Sequence, residues 1–158
     1  MAAAAPKRKQ DTVTESRAPL PELGRLGRLA GHWRVEGDAY TDPHGAALHW
    51  KSDERYEWLP GERFLVNRWD ARVGERSFRG MAVMGHDSAR GYFAAFYDNA
   101  GNCPVYRVSV EDEVVYLDGE RQRAMYKLAA DGQSMQVHWD VRQAGGWQPL
   151  CNLVAKRI

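Results

Sequence analysis

The feature that most constrains the fold of this chain is an alternation of apolar and polar side chains that begins at Gly31 and continues nearly to the C-terminus. A period of two is typical of β-strands, whose successive side chains point to opposite faces. Turn-forming residues interrupt the alternation at Pro60-Gly61, Asp98 to Gly101, Asp118-Gly119, Asp131-Gly132 and Gly145-Gly146. The pattern predicts about ten strands, near residues 32–40, 46–59, 62–72, 76–85, 91–98, 104–111, 113–118, 120–129, 134–143 and 147–157.

The connections between these strands indicate how the sheet is organised. No stretch after residue 31 carries a helical stripe as long as a crossover helix, so we expect antiparallel neighbours. Ten such strands would leave exposed edges in an open sheet, and closure into a barrel removes those edges. The sequence therefore predicts an all-β fold, a closed antiparallel barrel, with a two-sheet sandwich as the structural alternative.

The segment before the strands has a different periodicity. Its leucines lie three residues apart and follow a proline suited to a first helical turn, which predicts a short N-terminal helix that ends before Gly31; they are Leu20, Leu23, Leu26 and Leu29. We expect this stripe to pack against one end of the barrel. Residues 1–19 are rich in alanine and carry the basic run Lys7-Arg8-Lys9, which predicts a disordered tail ahead of a barrel domain at 20–158.

Charge and hydropathy exclude several classes of partner. The chain has 22 Lys and Arg against 21 Asp and Glu, so its net charge creates no long-range field for nucleic acid or an acidic membrane. No apolar run approaches the roughly 18 residues that a membrane span needs, and no secretory leader is recognisable. We therefore expect a cytoplasmic protein that binds neither nucleic acid nor membrane.

The residues that commonly hold metals or cofactors do not show the spacing of a metal or cofactor site. Cys103 and Cys151 favour two free thiols, although pairing between them stays open. The histidines lack the spacing of paired metal ligands; they are His32, His44, His49, His86 and His138. No glycine-rich phosphate loop precedes a helix. We therefore predict no metal and no cofactor. In the ninth strand, His138 falls on the face opposite Trp139 and is expected outside.

The second strand contains the most informative polar residue. Its inner face is predicted to present Leu48, Trp50, Ser52, Glu54, Tyr56 and Trp58. Because a carboxylate among aromatic rings is poorly hydrated, Glu54 must pair with a cation or shift towards its neutral form. The third strand is amphiphilic on both faces, so its register stays open. Arg68 and Arg123 are the candidate counter-charges, and the predicted ligand site comprises Trp50, Glu54, Tyr56, Trp58, Arg68 and Arg123.

Three functions fit this pattern. The first is a binding protein that holds a small hydrophobic or amphiphilic molecule in the barrel. The alternative is a cofactor-independent enzyme of the isomerase, cyclase or decarboxylase type, with Glu54 or Tyr56 as acid or base. The third is a filled interior in which these polar groups only fix the barrel. A homodimer also stays open.

Short motifs in a fixed order add a family resemblance. The stretch from Leu29 to Gly37, with Gly31-His32-Trp33 at its centre, is followed by Gly85 to Asp87, Gly91 to Phe93 and Phe96 to Gly101. Together they resemble the DUF1579 family of uncharacterised bacterial calycin-like proteins over roughly residues 25–158. The resemblance implies a closed lipocalin-like barrel in which Trp33 packs near a plugged end against Arg157, an arrangement that closes the barrel and is not catalytic.

The family is also similar to the nitrobindin-like haem barrels. These carry a Gly-x-Trp-x-Gly-x-Gly motif in the first strand and a haem-ligating histidine in the last. Here Val35 replaces the middle glycine, and residues 147–158 contain no histidine. The departure puts haem ligation of that kind in doubt and leaves Cys151 as the last-strand residue that could ligate iron.

Overall fold

The computed structural model describes residues 21–42 and 44–158. The tail predicted for residues 1–19 lies outside them. A helix α1 (Pro21–Leu26) continues into a 3-10 turn (Gly27–Leu29). The strands that follow are β1 (Gly31–Ala39), β2 (Leu48–Trp58), β3 (Phe64–Val73), β4 (Arg76–Asp87), β5 (Gly91–Asp98), β6 (Val105–Glu111), β7 (Val114–Asp118), β8 (Gln122–Leu128), β9 (Ser134–Gln143) and β10 (Gly146–Arg157).

Each strand pairs antiparallel with the next, and β10 pairs with β1, which closes the barrel. This confirms the predicted fold class and strand order and rules out the two-sheet sandwich. The strand bounds differ by a few residues where turns need unusual backbone angles. β3, for example, begins at Phe64 because Gly61 and Glu62 both adopt positive φ, at 89° and 51°.

The leucine-bearing segment covers one end of the barrel, where β1 begins and β10 ends. Leu23, Leu26 and Leu29 are buried there in the main core, as their spacing predicted. We call this the plugged end. The opposite end, which we call the mouth, is bounded by the strand connections at 40–47, 74–75, 99–104, 119–121 and 144–145.

A tryptophan and an arginine join the plug to the barrel, as the family resemblance implied. Trp33 is fully buried, and its indole N–H donates to the carbonyl of Leu29 at 2.8 Å. The guanidinium of Arg157 lies 4.2 Å from the centre of that indole ring. It donates to the carbonyls of Gly132 at 2.8 Å, Ala30 at 2.5 Å and Arg28 at 3.1 Å. A cation over a ring combined with charge-assisted hydrogen bonds fixes the helix against the last strand.

The registers of β3 and β8 correct two predicted site residues. Pairing of Glu54 with Trp69 and of Tyr56 with Asn67 turns Asn67 and Trp69 inward, and therefore Arg68 outward. On β8 the buried positions are Ala124, Tyr126 and Leu128, so Arg123 also points outward. Neither arginine contacts Glu54, and the prediction that they are its counter-charges is wrong.

The structure also places the two cysteines and His138. Cys103 is exposed and Cys151 is buried, and both are free thiols. His138 lies on the outer face, where it pairs with Asn152, as predicted. Within residues 21–42 and 44–158, no helix has the length and apolar character of a membrane span.

Candidate ligand site in the barrel interior

A column of polar groups on β2 leads from the mouth into the barrel. Because side chains alternate along a strand, Trp50, Ser52 and Glu54 share the inner face. The indole N–H of Trp50 donates to the hydroxyl of Ser52 at 3.0 Å, and that hydroxyl donates to Oε1 of Glu54 at 2.9 Å. The hydroxyl of Ser52 is therefore used both as acceptor and as donor.

The second carboxylate oxygen of Glu54 has weaker partners. The Tyr56 hydroxyl approaches Oε2 at 3.5 Å, and the Asn67 amide donates to it at 3.4 Å. Both distances are near the upper limit for a hydrogen bond. Oε2 therefore retains capacity to accept a stronger donor.

Two further polar atoms, on the β3 residues that pair with Tyr56 and Glu54, have no partner. Asn67 is 3% exposed and Trp69 is 8% exposed, yet Oδ1 of Asn67 and Nε1 of Trp69 make no hydrogen bond. Leaving a buried polar atom unpaired costs about 1–3 kcal/mol. A bound molecule that supplied the missing partners would recover part of that cost.

Burial changes the acidity of the groups around Glu54. Desolvation raises the pKa of Glu54 above its ordinary value of 4.5, and this outweighs the hydrogen bonds from Ser52, Asn67 and Tyr56. Desolvation, together with the nearby carboxylate, also raises the pKa of Tyr56 and Tyr126 well above 10.0. The interior therefore favours neutral side chains.

Aromatic rings line the barrel between Glu54 and the mouth. Phe78 lies 5.7 Å from both Trp50 and Trp69, measured between ring centres. Phe96 lies 5.7 Å from Trp69 and from Trp139. The ring of Trp69 occupies the space beside Gly80, where an added Cβ would lie 2.8 Å from Cε2 of the indole. A side chain at position 80 would displace this ring.

Solvent accessibility separates the two halves of the interior. Near the plugged end Trp33, Leu65 and Met84 are fully buried. Several inward-facing side chains nearer the mouth remain half-buried and keep accessible surface; they are Trp50, Glu54, Phe78, Phe96 and Trp139. The accessible surface of the inward-facing side chains therefore lies on the mouth side and extends to Glu54.

The predicted site residues divide into three groups. The structure brings Trp50, Glu54 and Tyr56 together through the polar column. Trp58 also points inward, but it lies at the plugged end, with its ring 3.4 Å from where Gly27 would carry a Cβ. It packs against the plug. Arg68 and Arg123 lie outside.

The outer wall holds a separate polar cluster. Arg123 donates to Oδ2 of Asp140 at 2.8 Å, and its guanidinium lies 4.7 Å from the centre of the Trp147 ring. His138 bonds the other oxygen of Asp140 at 2.8 Å. Although partial desolvation acts in the opposite direction, the contacts from Arg123 and His138 hold the pKa of Asp140 below 3.8. Arg68 faces Glu57 at 3.9 Å.

Two shallow grooves also cross the outer wall. One, of about 420 Å³, is bordered by the charged side chains of Arg34, Asp53, Asp70 and Arg79 among others. The second, of about 530 Å³, adjoins it around Arg55 and Arg68. Charged side chains border both grooves. In the described part of the chain, no three His, Cys, Asp or Glu side chains are placed to hold a metal ion.

Some interior residues were not selected from the sequence. Because β3 is amphiphilic on both faces, the sequence alone does not show which face turns inward. Asn67 and Trp69 become identifiable once the hairpin register places them opposite Tyr56 and Glu54. Phe78 and Phe96 belong to β4 and β5, neither of which pairs with β2, and the contact of Phe96 with Trp139 on β9 depends on closure. The alternation of β9 did place Trp139 with its apolar neighbours.

Comparisons with known proteins agree with the fold. A family model described as "Protein of unknown function (DUF1579)" matches residues 18–145. No curated protein matches the chain. Among solved structures, an S-type phycobiliprotein lyase, CPES, from Guillardia theta superposes with a TM-score of 0.51 at 12% sequence identity. The match covers 90% of this chain and 94% of that one. The likeness between the two chains is one of fold.

Proposed function

The chain belongs to the DUF1579 family, and from that premise and the geometry of its barrel we propose that it binds a small, partly apolar molecule in the interior. The observation that carries the proposal is the group of half-buried aromatic side chains that point inward on the mouth side. Rings provide a large contact area, and the polar column on β2 would orient the bound molecule. The Guillardia theta protein, a phycobiliprotein lyase, has the same general fold.

Two neighbouring aromatic residues on β5 allow a matched test. Phe96 points inward and contacts Trp69 and Trp139, whereas Tyr97 is 50% exposed on the outer face. The probe is N-phenyl-1-naphthylamine, an uncharged dye, titrated with fluorescence detection. Phe96→Ala should weaken its binding by about tenfold or more, because it removes ring contacts worth at least about 1.4 kcal/mol. Tyr97→Ala should leave binding unchanged.

Equal effects of the two substitutions would place the dye on the outer wall and contradict the proposal, as would an absence of binding to the unmodified protein. Phe96→Leu provides a milder variant if Phe96→Ala fails to fold. Native mass spectrometry of the purified protein for molecules that copurify would then identify the natural ligand.

One observation favours the enzyme alternative. Burial raises the pKa of Glu54, as a general acid that operates near neutral pH requires, and Ser52 and Tyr56 lie within reach of it. If Glu54→Gln abolishes turnover of a compound that still binds, the protein is an enzyme. If no bound compound is turned over, binding alone is its function.

A further inference from the structure

The interior of the barrel contains an acid without a counter-ion. Among the described residues, no Arg, Lys or His side chain forms an ion pair with Glu54, and the negative charge of Asp53 acts against its ionisation. Arg157, at the plugged end, is already bound to three carbonyl groups and packed on the Trp33 ring. A buried carboxylate without a cation is costly to keep ionised.

The other polar atoms around Glu54 also favour a ligand that donates hydrogen bonds. Oδ1 of Asn67, on the side chain that also contacts Glu54, is an acceptor without a partner. Ser52 cannot supply a second donor, because its hydroxyl proton already points to Oε1. The carboxylate of Glu54 and the amide oxygen of Asn67 are therefore two neighbouring acceptors that a donor could satisfy. The indole N–H of Trp69 is also buried and unpaired.

The aromatic lining also favours a positively charged ligand. Trp50 and Trp139 lie on the mouth side of Glu54, and Trp69 pairs with Glu54 between β2 and β3. The face of an aromatic ring attracts a cation by about 0.5–2 kcal/mol, and tryptophan does so most strongly. An anion would meet Glu54 with no compensating positive group.

From these contacts we infer that the ligand is a cationic amine attached to a planar apolar body, with its N–H groups directed at Glu54 and Asn67. The inference rests on the proposed function and narrows it to one chemical class. Fatty acids and other apolar anions are excluded by the same argument.

Three probes with one ring system test the inference. They are 1-naphthylmethylamine, 1-naphthalenemethanol and 1-naphthoic acid, which place an ammonium, a hydroxyl and a carboxylate on the same apolar body. Calorimetric titration at neutral pH should show the amine binding at least about tenfold more tightly than the alcohol, and the acid most weakly. Glu54→Gln should reduce the ratio of amine to alcohol affinity to about one.

The matched control is Glu57→Gln, which removes a half-exposed carboxylate from the opposite face of the same strand. It should preserve the preference for the amine. Equal binding of amine and alcohol to the unmodified protein overturns this inference and leaves the proposed function intact, as does a preference that survives in Glu54→Gln. Failure of all three probes overturns the inference. If the neutral dye also fails to bind, the proposed function is contradicted as well.

Discussion

At the scale of single residues, Glu54 is in the least favourable environment of the described carboxylates. Its hydrogen bonds to Ser52, Tyr56 and Asn67 are local, and none of them brings a positive charge. Ionisation of such a group lowers the stability of the folded protein. The stability of this barrel should therefore depend on pH through this side chain.

Glu54→Gln tests that dependence. Because burial raises the pKa of Glu54 in the folded chain, its stabilising contribution is complete below the unfolded pKa and is lost as pH rises through the folded pKa. The stability of the unmodified protein should therefore fall relative to the variant as the pH rises above about 4.5, the ordinary pKa of this group. Each tenfold difference in acid dissociation constant corresponds to about 1.4 kcal/mol.

The measurement is the free energy of unfolding in urea at several pH values. Glu57→Gln, at an exposed position on the same strand, serves as the control and should not reproduce the effect. Parallel pH profiles for the unmodified protein and Glu54→Gln would show that the carboxylate is well hydrated, and would remove the basis for an unpaired interior acid.

The two cysteines should differ in reactivity. Burial raises the pKa of Cys151 to about 12, whereas Cys103 is exposed. At pH 8 only roughly one Cys151 side chain in ten thousand would be a thiolate, and the thiolate is the reactive form. Mass spectrometry after treatment with iodoacetamide should show one modification on the folded protein and two after unfolding. Modification of Cys103→Ser in the folded state would contradict this assignment.

Sequence alone predicted part of the site at this scale. Trp50, Glu54 and Tyr56 were placed correctly because strand alternation is a local property. Arg68 and Arg123 were not, because their strands carry polar residues on both faces and only pairing with neighbouring strands decides which face turns inward. The unpaired atoms of Asn67 and Trp69 depend on three-dimensional contacts that no periodicity encodes.

At the scale of elements, the plug shows which glycines are required. Gly24 lies exposed in α1, with no atom within 4 Å of an added Cβ. Gly31 follows the 3-10 turn, adopts φ of 138°, and would place a Cβ against the guanidinium of Arg157. The leucine spacing predicted the helix, but not the change to a 3-10 turn that aligns Leu29 with Trp33.

Alanine at these two positions should have opposite effects. Gly24→Ala should stabilise the protein by about 0.5–1 kcal/mol, because alanine loses less backbone entropy in a helix. Gly31→Ala should destabilise it by about 1–3 kcal/mol, through backbone strain and displacement of Arg157. Thermal melting should show Tm shifts of opposite sign, at about 2–4 °C per kcal/mol for a domain of this size. A tolerated Gly31→Ala would show that the arginine is not tightly held.

At the scale of the whole molecule, closure depends on the pairing of β1 with β10. This contact joins Trp33 to Arg157 at one end and Ala39 to Cys151 at the other. Every other pair in the barrel joins strands adjacent in sequence. The order of strands was therefore predictable from turns and alternation, whereas closure had to be inferred from the cost of exposed edges.

Removing Gly146–Ile158 tests the importance of that pairing. The truncated chain would expose the edges of β1 and β9 and lose the buried side chains of Cys151, Leu153 and Ala155. We expect it to lose its cooperative thermal transition and its near-ultraviolet circular dichroism, and to aggregate on size exclusion.

A synthetic peptide of residues 146–158 should restore the circular dichroism of the truncated chain, and the same peptide with Leu153→Asp should not. Retention of a cooperative transition without β10 would show that the other strands form a stable open sheet, contrary to this expectation.

The placement of the plug has a practical consequence for biosensor design. The first strand starts and the last one finishes on the same rim, where the backbone N–H of Ile158 bonds to the carbonyl of His32 at 3.0 Å. A fluorescent reporter or a surface tether fused after Ile158 would therefore sit at the plugged end, on the far side of the molecule from the mouth, and immobilised protein would keep the mouth free.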